Sequence, residues 1–152
     1  MRLALFEPDI PQNLGAFIRL SACLGAPLDV IEPCGFPVDD KRIRRAAMDY
    51  YDLANMTRHA SWTAFQRDRK PGRLVLLTTT GATRFPDVKF RADDTLLLGR
   101  ESAGVPAEVH EAADLRLRIP LQKSLRSLNV ATAAAMVLGE ALRQTNGYAA
   151  LT

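Results

Sequence analysis

Cysteine and histidine are scarce in this chain of 152 residues, two of each, and their placement removes several classes of function. Cys23 and Cys34 have neither metal-ligand spacing nor the Cys-x-x-Cys redox pattern. No zinc site, other metal site or disulfide framework is expected, and both are read as buried free thiols. His59 and His110 each stand alone, which does not amount to a hydrolytic constellation. No apolar run approaches the roughly 18 residues that a membrane span requires, and no basic N-terminal region leads into a long apolar stretch with a cleavage site, so a cytoplasmic chain without membrane association is expected. Neither the G-x-G-x-x-G dinucleotide fingerprint nor a G-x-x-x-x-G-K-[ST] phosphate loop occurs.

What is present fits one globular domain over residues 1–152, with 47% hydrophobic and 24% charged residues. The net charge is only +3, yet 16 of the 20 basic residues are Arg. That bias favours bidentate phosphate contacts and hints at nucleic acid, although a GC-rich genome produces the same imbalance. Short apolar strand candidates at Leu3–Phe6, Leu28–Ile31, Leu74–Thr78, Thr95–Leu98 and Leu115–Ile119 alternate with helical stretches near Asn13–Leu24, Asp39–Ala47, Ser61–Arg69, Pro106–Ala112 and Asn129–Gln144. Such alternation predicts an α/β fold on a parallel sheet. The last helix, with Val130, Ala131, Ala133, Ala134, Ala135, Met136, Val137, Leu138, Ala141 and Leu142, has almost no polar face. It is either a central core helix or one covered on its second side by another copy of the chain.

Three segments place polar chemistry at predicted strand ends. In Pro11–Arg19, Asn13 is a plausible N-cap and Arg19 follows nearly two turns later, either with its guanidinium toward the sheet edge or as a surface helix residue. In Leu96–Pro106 a buried strand breaks into the loop Gly99-Arg100-Glu101-Ser102-Ala103-Gly104, and Pro106 suits the first position of a helix. Exposed backbone groups at a strand's carboxyl end are where open α/β sheets bind ligands. In Ile119–Ala131, Ser127 and Asn129 are either helix caps or functional groups. Together the three supply a cation, a carboxylate, a hydroxyl and an amide.

At these residues the sequence resembles the SPOUT methyltransferase superfamily, in its minimal single-domain branch of TrmL-type tRNA ribose methyltransferases. The resemblance rests on Asn-x-Gly-x-x-x-Arg at Asn13 to Arg19, on Gly-x-Glu-x-x-Gly at Gly99 to Gly104, and on Ile-Pro with Arg-Ser-Leu-Asn between Ile119 and Asn129. It also takes in Asp39-Asp40-Lys41-Arg42-Ile43-Arg44-Arg45-Ala46 with Asp49-Tyr50. It implies a sheet whose C-terminal part is tied in a trefoil knot, which pattern reasoning alone does not propose, and a homodimer with the active site at the subunit interface.

The implied cofactor is S-adenosylmethionine, without metal. Carried over by residue, its contacts fall on Leu77, Thr78, Thr79, Gly99, Glu101, Gly104, Ile119, Leu121, Ser127 and Leu128, many through the backbone. The implied catalytic group is Arg19, Glu101, Ser127 and Asn129. A guanidinium with a pKa above about 12 is a poor base, so Arg19 is expected to stabilise the developing alkoxide or grip the adjacent phosphate. Ser127 and Asn129 would position the ribose, and Glu101 would orient its neighbours. Lys41, Arg42, Arg44 and Arg45 would contact RNA. The expected reaction is 2′-O-methylation of the wobble nucleotide, cytidine or modified uridine 34, of leucine tRNA. Ribose methylation elsewhere in tRNA or ribosomal RNA, and a catalytically silent RNA-binding protein, are the alternatives. The chain departs from the family pattern at Leu125, where Ser is frequent, and at Gly139, where Tyr is frequent.

Overall fold

Runs such as Leu74–Leu77 and Leu96–Leu98 are apolar at every position because both of their faces are covered. In the computed structural model, which describes residues 1–151, they lie inside a seven-stranded sheet. The strands are β1 Arg2–Phe6, β2 Leu28–Ile31, β3 Met56–His59, β4 Leu74–Leu77, β5 Thr83–Arg84, β6 Thr95–Leu98 and β7 Leu115–Arg118. Their order across the sheet is β3-β2-β1-β6-β4-β7-β5, and every pairing is parallel. All the carboxyl ends therefore meet along one edge of the sheet.

Five helices cover the two faces: α1 Pro11–Leu24, α2 Lys41–Ala47, α3 Trp62–Asp68, α4 Ala107–Ala112 and α5 Val130–Gln144. Alternation along β1 sends Leu3 and Leu5 into a core with Leu14, Phe17, Ile43, Val137 and Leu138 of α1, α2 and α5. Ala4 and Phe6 face a second core with Trp62, Phe65 and Val109 of α3 and α4. The expected α/β class is found, with boundaries shifted by one or two residues. Asp40, Ser61 and Asn129 stand just outside helices as caps, their side chains accepting from the backbone N–H groups of Arg42, Ala64 and Ala131.

Several expectations are corrected. Strands β3 and β5 were not anticipated. Asn13 is no N-cap: α1 begins at Pro11, whose fixed φ suits the first helical position, and Ile10 precedes it without a side-chain cap. Pro106 stands one residue before α4 as its cap rather than inside it. Cys23 is exposed and Cys34 half-buried, so neither thiol is in the core. Helix α5 buries Ala134, Val137, Leu138, Ala141 and Leu142 but leaves Ala135 and Met136 exposed, so it is not enclosed within one copy of the chain.

Gly15 explains how α2 reaches its place. A Cβ there would lie 2.5 Å from Ala46 Cβ and 2.6 Å from Ile43 O, so α1 and α2 approach more closely than any side chain at this position permits. Among the described residues no helix is long and apolar enough to cross a membrane.

Candidate active site

The loops following β4, β6 and β7 enclose a cavity of about 710 Å³ at the carboxyl edge of the sheet, within the range of small-molecule sites. Leu77, Thr78 and Thr79 line it from the end of β4; Gly99, Glu101 and Gly104 from the loop after β6; and Ile119, Leu121, Ser127 and Leu128 from the segment after β7. All ten residues expected to contact a cofactor thus border one space. The wall is apolar where these Leu and Ile side chains lie, and polar where the loop backbone turns.

The β6 loop has a defined shape. Arg100 and Gly104 exchange backbone hydrogen bonds, N–H to O, of 3.0 and 2.8 Å. A Cβ on Gly99 would lie 2.6 Å from the carbonyl carbon of Gly104, and Gly104 itself has φ +67°, so both glycines of the Gly-x-Glu-x-x-Gly pattern are required by the turn. Arg100 Nη2 is paired with Glu7, while Arg100 Nε is buried without a partner at the cavity wall. Across the cavity, Arg118 Nη1 donates to Gly81 O at 2.6 Å and Ala82 O at 2.9 Å, tying the end of β7 to the loop after β4.

Glu101 is the hub of a polar chain. Its Oε1 accepts from Asn13 Nδ2 at 2.9 Å and its Oε2 from the Asp9 N–H at 2.9 Å. Asn13 Oδ1 accepts from Asn129 Nδ2 at 2.9 Å, and Asn129 Oδ1 in turn caps α5. Asn129 is therefore both a cap and a member of the site. Partial burial, followed by hydrogen bonding with Asp9, pushes the Glu101 carboxyl above its ordinary pKa, whereas the hydrogen bond with Glu101 holds Asp9 below its own. The opposite directions within one pair reflect a shared interaction, with Asp9 the more readily ionised.

Arg19 is not brought to this cavity within one copy of the chain. It is exposed, Nη1 lies 3.0 Å from Met48 Sδ, and the guanidinium sits 5.6 Å from the centre of the Tyr50 ring. Of the two placements the sequence leaves open for Arg19, the sheet edge or the helix surface, the structure shows the helix surface. Arg19 follows Asn13 by six residues, which at about 100° per residue puts it roughly 120° around α1 from the face that meets Glu101. The four basic residues expected on the RNA surface, Lys41, Arg42, Arg44 and Arg45, are exposed on α2, the same side as Arg19. Arg42 is paired with Asp40 at 2.7 Å, and Arg44 lies 4.1 Å above the Tyr51 ring.

Sequence reasoning did not single out Asp9, Arg100 or Arg118. For Asp9 no local signal exists, because its partners are more than ninety positions away. His59 is buried against Asp29 at 2.8 Å, which also pairs with Arg2 at 2.9 Å, an arrangement that joins β1, β2 and β3. Among the described residues no cluster of three or more His, Cys, Asp or Glu is arranged to hold a metal ion.

A parallel α/β sheet with this strand-end cavity belongs to a recognised class: the chain is a member of the SpoU rRNA Methylase family, whose model matches residues 1–139. It is 57% identical over 149 residues to the tRNA (cytidine(34)-2′-O)-methyltransferase of Beijerinckia indica, covering 97% of this chain and 93% of that one. It is 42% identical over 150 residues to the enzyme of the same name from Escherichia coli K12, covering 97% and 95%. Among solved structures, one determined for insight into 2′-OH methylation of C/U34 on tRNA superposes with a TM-score of 0.91 at 37% identity over 96% of both chains. AviRb of Streptomyces viridochromogenes, a SpoU methyltransferase in complex with AdoMet, superposes with a TM-score of 0.83 at 29% identity, over 95% of this chain and 60% of that one.

Proposed function

We propose that the chain transfers a methyl group from S-adenosylmethionine to the 2′-hydroxyl of wobble nucleotide 34, cytidine or modified uridine, in leucine tRNA, acting in the cytoplasm as a homodimer. The observation that carries this reading is the convergence of three separated segments on one cavity next to the Asn13–Glu101–Asn129 chain, in a chain closely similar to tRNA (cytidine(34)-2′-O)-methyltransferases. The cavity suits the cofactor: Leu77, Ile119, Leu121 and Leu128 offer apolar contact to an adenine, and the loop backbone offers polar groups. When bound, the cofactor supplies an electrophilic methyl on a sulfonium. No metal has a role in this chemistry.

The chain's own residues have to deal with the nucleophile. A ribose hydroxyl attacks only as its proton leaves, so the site needs a stabiliser of the developing alkoxide. Arg19 has the charge for that task, or for gripping the adjacent phosphate, but points away from the cavity of its own subunit. In this reading it serves the cleft of the partner subunit. The exposed Ala135 and Met136 on α5, with Phe85, Pro86 and Tyr148 beside Met136 in a shallow groove, support a second copy packing nearby. Ser127 and Asn129 position the ribose, Glu101 orients Asn13 and the cofactor loop, and Lys41, Arg42, Arg44 and Arg45 hold the RNA backbone. The trefoil knot in the C-terminal part of the chain belongs to the same reading.

Methyl transfer assayed on a panel of unmodified and native tRNAs, with the product nucleotide mapped, tests the proposal. The expected product is a single 2′-O-methyl at nucleotide 34 of leucine tRNAs. Modification elsewhere would favour the rRNA or other-tRNA alternative, and absence of cofactor binding by calorimetry would overturn the enzymatic reading altogether.

A further inference from the structure

We infer that Asp9, which lies outside the segments that carry the family resemblance, is a positioning residue that sets the geometry of the cofactor loop through a reciprocal bracket with Glu101 and Ser102. The inference rests on the reading of the cavity as the methyl-donor site.

Asp9 sits in the connection between β1 and α1, held on one side by the hydrogen bond from Gly35 N–H to Pro8 O at 2.9 Å. Its own N–H donates to Glu101 Oε2 at 2.9 Å, and Glu101 N–H donates back to Asp9 Oδ1 at 3.2 Å. Ser102 Oγ–H donates to Asp9 Oδ2. With Asn13 Nδ2 on Glu101 Oε1, all four oxygens of these two neighbouring carboxylates receive a donor. Two adjacent anions repel, and neither is paired with a cation here: Arg100, the nearest in sequence, is committed to Glu7. What makes the placement tolerable is that each carboxylate is served by the backbone of the other.

The loop has little else to hold its tip. Its base is closed by the Arg100–Gly104 backbone pair, while Ser102 and Ala103 are exposed. Asp9 is the contact that fastens the tip to a rigid strand-to-helix connection. Removing the Asp9 carboxylate leaves Glu101 N–H and Ser102 Oγ without acceptors and frees a wall of the cavity. A ligand then has to order that wall on binding, which lowers its affinity. The RNA-facing residues of α2 make no contact with the bracket, so their function stays intact.

Two measurements on the full chain test this. In cofactor-free protein, amide hydrogen exchange at Glu101 is expected to accelerate about tenfold or more in Asp9→Ala, with exchange in β1 and α5 unchanged. Asp9→Asn, which keeps an acceptor for Glu101 N–H and a donor that Ser102 Oγ can accept, should restore most of the protection. In calorimetry with S-adenosylhomocysteine, Asp9→Ala should bind about tenfold more weakly while tRNA affinity by mobility shift stays within about twofold, and Asp9→Asn should recover the cofactor affinity. Ser102→Ala should weaken binding in the wild-type background and add nothing to Asp9→Ala. Unchanged exchange at Glu101 in Asp9→Ala, or equal loss of cofactor and tRNA affinity, would overturn the inference. Slow exchange restored by Asp9→Asn in a protein that binds no S-adenosylhomocysteine would leave the bracket standing as a loop anchor but overturn its cofactor role together with the functional reading.

Discussion

The two cysteines show how little a residue's type says about its surroundings. Both are small and soft, and composition alone places such residues inside; yet Cys23 lies on the exposed side of α1, while Cys34 sits half-buried beyond β2. Burial, followed by the nearby carboxylate of Glu32, pushes the Cys34 thiol up to about 11. Only the thiolate reacts with alkylating agents, so at pH 8 about one Cys34 in a thousand is in the reactive form. Iodoacetamide at pH 8, followed by peptide mass spectrometry, should label Cys23 and leave Cys34 at least about a hundredfold slower, with Cys34 catching up as the pH is raised toward 11. Equal labelling rates at pH 8 would show that the Cys34 thiol is not held in its neutral form. The same limit on residue-level reading applies to Asn13. Its type and place at a helix start fit an N-cap, but Pro11 starts the helix two residues earlier and releases the Asn13 side chain to join Glu101 and Asn129.

Among elements, α2 is the one whose position depends most on a single residue. It brings Lys41, Arg42, Arg44 and Arg45 to the surface beside Arg19, and it seats on α1 through Gly15, where an added methyl would meet Ala46 Cβ at 2.5 Å and the Ile43 carbonyl oxygen at 2.6 Å. Backbone cannot swing aside as a side-chain tip can, so Gly15→Ala should destabilise the protein by roughly 2 kcal/mol, lowering Tm by about 4–8 °C. It should also shift α2, weakening tRNA binding while leaving cofactor affinity intact. A normal melting temperature and unaltered tRNA affinity in Gly15→Ala would mean that α2 is not seated this way. The Asn-x-Gly-x-x-x-Arg pattern thus splits its residues between two sides of one helix: Asn13 faces Glu101, while Gly15 and Arg19, one turn apart, face α2 and the residues after it. Elements were legible where physics is local. Buried parallel strands read as unbroken apolar runs, so Leu74–Leu77 and Leu96–Leu98 stood out. Met56–His59 did not, because an edge strand with exposed Thr57 and Arg58 carries no such signature, and Thr83–Arg84 is too short to have one. The strand-end rule for parallel sheets pointed to the loop after Leu98 as a ligand site, while the individual cavity-lining residues came only from the family resemblance. The Asp9–Glu101 bracket was not legible, since it joins positions that only the completed sheet brings together.

At the scale of the whole molecule, the residues of the proposed site are divided. One copy of the chain holds the cavity, Glu101 and Asn129, while its Arg19 rests against Met48 and Tyr50 on another side of α1. If Arg19 completes the cleft of a partner, two inactive variants can repair each other. Arg19→Ala should lower turnover by about 10² to 10³, the usual cost of removing one stabiliser of a developing oxyanion, and Glu101→Ala should disable the cavity of its own subunit. When the two are co-refolded in equal amounts, about half of the dimers are mixed, and each mixed dimer has one cleft with both an intact Glu101 and an intact partner Arg19. Methyl transfer should then return to about a quarter of the wild-type rate per subunit. If Arg19 instead swung into its own cavity, every cleft in the mixture would lack one of the two groups, and the activity would stay at the level of the separate variants. Recovery therefore separates a site shared between subunits from one that each subunit completes alone, and it does so without depending on which nucleotide is methylated.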